Sequence, residues 1–121
     1  MREYVAGVGA RPGVPADEVL ALVRRMLPPD GRLVALSTLA SRAAEPGLIA
    51  AASALGVPLL SCSVAELSSV PVPSPSARVR AATGTASVAE AAAVRGAGDG
   101  AVLVVPKVVG GRVTCAVAAR V

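Results

Sequence analysis

The stretch "YVAGVGARPGV" (residues 4–14) joins a short apolar run to a turn rich in Gly and Pro. Such a junction is how a buried strand passes into a helix in an α/β protein. The helix follows at 15–27. Pro15 suits its first position, Asp17 and Glu18 complement the dipole, and Val19, Leu20, Leu22, Val23, Met26 and Leu27 form its apolar stripe. "PPDGR" (28–32) breaks it, and "LVALS" (33–37) is all but uniformly apolar, as a strand buried on both faces must be. "PGLIAAASALG" reads as a second helix, started by Pro46 and stopped by Gly56. "VPLLSCS" (57–63) is a third strand and "VAELSSV" (64–70) at most a short helix.

Next comes "PVPSPS" (71–76), whose prolines force extended geometry on the residues before them; helical pattern resumes in "SARVRAAT". "SVAEAAAVRG" (87–96) offers Ser87 and Glu90 as a capping box and Gly96 as a stop. "AVLVVPK" and "RVTCAVAAR", joined by "VVGG", read as a terminal hairpin. The order predicts one domain over 1–121 and an α/β fold. It is a three-layer α/β/α sandwich on a mixed, mostly parallel sheet of about five strands, with an antiparallel C-terminal pair.

The bulk composition narrows the function. The chain is 54% hydrophobic but 1% aromatic, so its core is built from Ala, Val, Leu and Ile, which favours closely spaced layers. Without aromatic stacking platforms, single-stranded nucleic acid is not an expected partner, and a nucleic-acid or protein scaffold resting on charge alone is disfavoured. The net charge of +4 fits an anionic partner, or simply an Arg-rich genome. The two cysteines stand in apolar segments with no CxxC and no His, so no metal or cofactor is expected. No apolar run approaches a membrane span and the N-terminus lacks a signal-peptide pattern; a cytoplasmic protein is expected.

A dinucleotide cradle requires G-x-G-x-x-G and an acid at the end of the second strand. Here Gly7, Gly9 and Gly13 are spaced one residue too long, Ser37 and Thr38 stand where the acid belongs, and the Walker lysine is absent. What remains is a turn at the carboxyl edge of a parallel strand, where open α/β sheets bind ligands. Arg11 is its only charge: a bidentate carboxylate donor, or a solvated loop arginine. "STLASRAAEPGL" (37–48) lies at the same edge and brings Ser37, Thr38, Arg42 and Glu45; Glu45 also reads as simple dipole complement at a helix start. Ser74, Ser76 and Thr83 surround a later loop–helix junction, and Lys107 ends a strand. With no His there is no Ser-His-Asp triad.

Together "GVGARPG", "STLASRAAEPGL", "VPLLSCSVAEL", "PSPSARVRAATGTASVAEAAA" and "LVVPKVVGGRVTCAVAAR" resemble, in this order, the C-terminal domain of the cobalamin-biosynthesis protein CbiG, whose stand-alone form is CobE. The resemblance spans essentially the whole chain. It implies a place in corrin-ring assembly, where CbiG-type hydrolases open the lactone of a precorrin intermediate and release a two-carbon fragment as acetaldehyde. The implied ligand is a precorrin or cobalt-precorrin, a polycarboxylate tetrapyrrole. It would be held by Gly9, Arg11, Ser37, Thr38, Arg42, Ser74, Ser76, Thr83 and Lys107, with Glu45 as the candidate for proton transfer. Other corrin-pathway enzymes or a second copy of the chain are the implied protein partners.

The chain departs from the family pattern at Ala10 and Pro12, where Cys and a basic residue are common. It departs again at Ala40 (an acid), Arg42 (Lys) and Ser74 (Asn). The alternatives to an autonomous lactone-opening enzyme are a non-catalytic binding or delivery module and one half of a split hydrolase.

Overall fold

In a strand buried on both faces, alternate side chains enter different layers, and β1 (Arg2–Ala10) does this. Tyr4, Ala6 and Val8 join one hydrophobic cluster while Val5 joins another. The computed structural model describes residues 1–70 and 88–121. After β1 come α1 (Ala16–Met26), β2 (Gly31–Leu39), a 3-10 turn (Ala40–Arg42), α2 (Pro46–Leu55), β3 (Leu59–Cys62) and α3 (Val64–Ser68). They are followed by α4 (Val88–Ala97), β4 (Val102–Gly110) and β5 (Val113–Ala119).

Among the described residues the strands form one five-stranded sheet in the order β3-β2-β1-β5-β4. β1, β2 and β3 are parallel neighbours, and β5 is antiparallel to both β1 and β4. β5 alone therefore runs against the others, and the fold is the mixed, mostly parallel one expected. The terminal hairpin forms one end of the sheet, β4 at the edge and β5 inside it, where β5 pairs with β1 from Tyr4↔Ala119 to Ala10↔Val113.

α1 and α2 cover one face through Val19, Leu22, Val23, Met26, Leu48, Ala51 and Ala52. α3 and α4 cover the other. That second interface consists almost wholly of small residues, with Ala35, Ala116 and Ala118 meeting Ala89, Ala93 and Ala97. α4 consequently lies very close to β1. A Cβ placed on Gly7 would stand 1.9 Å from the Ala89 carbonyl oxygen and 2.4 Å from the Ala93 nitrogen.

Gly96 does not stop α4. It lies inside the helix, where a Cβ would come within 2.9 Å of the Ser37 side chain, and Gly98 ends the helix at φ +99°. Ser87 of the expected capping box lies outside the described residues, whereas a capping box does form at α3 between Ser63 and Glu66.

Surface ion pairs and hydrogen bonds hold three carboxylates below their ordinary range. Arg32 and Arg120 act on Glu3, Arg112 acts on Glu18, and the Ser63 amide followed by Arg95 acts on Glu66. A carboxylate depressed in the folded chain stabilises above its unfolded value, about 4.3, and that contribution is lost as pH falls through the folded value. The thermal midpoint followed by circular dichroism is thus expected to hold from neutrality to about pH 5 and to drop toward about pH 3. A midpoint flat over that range would contradict these pairs. Burial acts on Cys115 in the other sense, raising its thiol to about 12 and keeping it protonated near neutrality.

Candidate functional site at the carboxyl edge of the sheet

β1, β2 and β3 end at Ala10, Leu39 and Cys62, and β5 begins at the same edge because Val113 pairs with Ala10. Parallel strand ends with short loops leave a crevice, and here it is a cleft of about 360 Å³. Among the described residues its apolar wall is Leu39, Val88, Val109 and Val113, and its cations are Arg11, Arg42 and Arg112. Gly9 and Thr114 form part of its lining, and the Thr114 hydroxyl donates to the Gly9 carbonyl at 3.3 Å. Among the described residues no carboxylate lines it.

The loop after β1 is pinned from three sides. Arg42 Nε donates to the Ala10 carbonyl at 3.0 Å, the Arg11 amide donates to the Arg112 carbonyl at 3.1 Å, and the Gly13 amide donates to Glu45 Oε1 at 2.8 Å. α2 closes against the same loop: a Cβ on Gly47 would lie 2.0 Å from the Val14 carbonyl oxygen. This gives the motif "EPGL" a local explanation. Glu45 is the N-cap and holds the loop, Pro46 starts the helix, Gly47 permits the contact and Leu48 is fully buried. Arg11 itself is exposed, and its guanidinium has no ion-pair partner among the described residues. A free cation on an anchored backbone is preorganised to bind an anion, since little loop entropy remains to be lost.

Of the residues singled out from sequence, Gly9, Arg11 and Arg42 line this cleft, and Glu45 supports its loop. Ser37 and Thr38 are fully buried. β2 continues to Leu39 and so carries both inside, where Ser37 Oγ lies 3.4 Å from Cys62 Sγ and Thr38 Oγ1 donates to the Val8 carbonyl at 2.7 Å. Lys107 lies on β4 where the register is irregular; its amide donates to the buried Glu90 at 3.2 Å, and it does not line the cleft. Ser74, Ser76 and Thr83 lie outside the described residues. Arg112, Thr114, Val88 and Val109 were not anticipated. The "VVGG" turn was visible, but nothing local indicates that β5 pairs with β1 and so carries Arg112 to the edge that bears Arg11.

The geometry thus defines an α/β/α domain with an arginine-lined cleft at the carboxyl edge of its sheet. Residues 4–118 match the family model described as Cobalamin synthesis G C-terminus. The chain is 42% identical to Protein CobE of Sinorhizobium sp over 122 residues, covering 94% of this chain and 78% of that protein. It superposes on the crystal structure of CobE, a protein from the cobalamin (vitamin B12) biosynthetic pathway, with TM-score 0.80 and 34% identity. That match covers 99% of this chain and 92% of the other. Cobalamin biosynthesis protein chiG from Agrobacterium tumefaciens str. C58 matches with TM-score 0.69 and 35% identity over 97% and 98% of the two chains. A cobalamin biosynthesis protein G homolog from Sulfolobus solfataricus shares the fold at TM-score 0.75 and 18% identity; this chain spans 37% of its length. The chain belongs to the CobE/CbiG C-terminal family of cobalamin-biosynthesis proteins.

Proposed function

We propose that this domain binds a precorrin-type polycarboxylate tetrapyrrole in the cleft and takes part in the lactone opening that releases acetaldehyde. The observation that carries this reading is the pairing of an apolar wall with three guanidiniums in one cleft. An edge of the macrocycle would lie against Leu39, Val88 and Val109 while peripheral carboxylates meet Arg11 and Arg42. About 360 Å³ is at the low end for ligand sites, so the cleft takes part of a tetrapyrrole and leaves the remainder outside. Glu45, which holds the loop and is not among the described lining residues, is the acid proposed for proton transfer. One of its oxygens accepts the Gly13 amide, and the other makes no hydrogen bond among the described residues.

A second reading, a non-catalytic binding or delivery module, is favoured by the inward-turned hydroxyls of Ser37 and Thr38 and by the absence of a carboxylate among the described lining residues. Incubating the protein with the lactone intermediate and assaying acetaldehyde separates the two. The catalytic reading expects release, and a fall of about 100-fold or more in Glu45→Gln, which keeps an acceptor for Gly13 but loses the acid. Tight binding with no acetaldehyde would leave the module.

A further inference from the structure

Arg112, on the turn between β4 and β5, does not stand alone. Glu18, in the first turn of α1, accepts from its amide at 3.2 Å and from its Nη2 at 2.7 Å. Gly111, at φ +66°, closes the turn tightly around that carboxylate: a Cβ there would lie 2.7 Å from Glu18 Oε1. The Arg112 carbonyl in turn receives the Arg11 amide at 3.1 Å. One carboxylate therefore fixes the backbone and side chain of residue 112 and, through its carbonyl, bears on the neighbouring loop. A guanidinium carries five N–H donors in a rigid fork, and the Glu18 side-chain contact uses one of them. The Arg112 side chain is 52% exposed even when paired. It has donors left for a second anion, and it lines the cleft beside Arg11.

We infer that Arg112 is a third carboxylate-binding residue of the cleft and that Glu18 is its positioning residue, an inference resting on the polycarboxylate reading above. The β4–β5 turn is then part of the site and not merely the end of a hairpin. Glu18 acts through Arg112 and does not itself touch the ligand.

The test is a double-mutant cycle read by fluorescence titration with uroporphyrin, a polycarboxylate tetrapyrrole, each variant's fold being checked by its urea midpoint. R112M is expected to weaken binding about fivefold, and R112K, which keeps the charge but not the fork, to weaken it less. E18A is expected to weaken binding about threefold in the wild-type background and clearly less in the R112M background, where its side-chain partner is already gone and only its hold on the residue 112 amide remains. Wild-type affinity in R112M overturns the inference while leaving the tetrapyrrole reading intact. An E18A loss that persists undiminished in the R112M background overturns the positioning role. No binding by the wild-type chain overturns the inference together with the reading beneath it.

Discussion

Gly7→Ala is expected to destabilise the chain by about 3 kcal/mol, the upper end of over-packing costs. The added methyl would meet helix backbone at Ala89 and Ala93, and backbone cannot swing aside as a flexible side chain can. α4 would have to lift off β1, loosening its contacts with Val5, Ala116 and Ala118. Against a total stability of about 5–15 kcal/mol this is a large fraction. Gly13→Ala is the control: its φ is +80°, but a Cβ would meet nothing within 4 Å, so only backbone strain of about 1 kcal/mol applies. Urea midpoints compare the two. A Gly7→Ala midpoint equal to wild type would mean that α4 does not rest on the sheet as described. The substitution should also disturb function, because Val88 at the start of α4 lines the cleft.

Arg11→Met is expected to lower affinity for uroporphyrin about tenfold, equivalent to about 1.4 kcal/mol, without moving the urea midpoint. The side chain is exposed and has no ion-pair partner among the described residues, so its removal costs the fold little. The loop stays in place because its contacts run through the Arg11 amide, the Ala10 carbonyl and the Gly13 amide. Binding by the wild-type chain should weaken as salt rises, and the variant should show a shallower dependence, since screening acts on the charge that was removed. Arg42→Met differs in kind, removing a cation and also the donor to Ala10. Equal dissociation constants for wild type and Arg11→Met would take the loop after β1 out of the binding site.

The succession from β1 to β3 was readable because apolar runs bounded by Gly and Pro report local geometry directly. "LVALS" and "VPLLSCS" lie within or across strands found at Gly31–Leu39 and Leu59–Cys62. The alanine-rich composition also anticipated the close layers, which Gly7 and the α4 alanines now explain. What the sequence did not show is set by long-range pairing. β2 outruns its apolar core because Thr38 and Leu39 pair with Ser61 and Cys62 of β3, and this carries Ser37 and Thr38 out of the turn and into the interior. The site is legible where it is made of one loop, as at Gly9 and Arg11. It is not legible where it needs residues about a hundred positions apart, as at Arg112. Glu45 was recognisable as a helix-start acid, but its contact with the Gly13 amide depends on α2 packing against the first loop.

The central claim is that a polycarboxylate tetrapyrrole docks at the carboxyl edge of the sheet between the first loop and the β4–β5 turn. Amide chemical-shift mapping of the isotopically labelled chain during titration with uroporphyrin tests it most directly. The expected result, among the described residues, is a saturable set of shifts confined to residues 9–14, 39–42, 88 and 109–114. Shifts centred instead on the small crevice formed by Ser69, Arg95 and Asp99, or no saturable shifts at all, would contradict it.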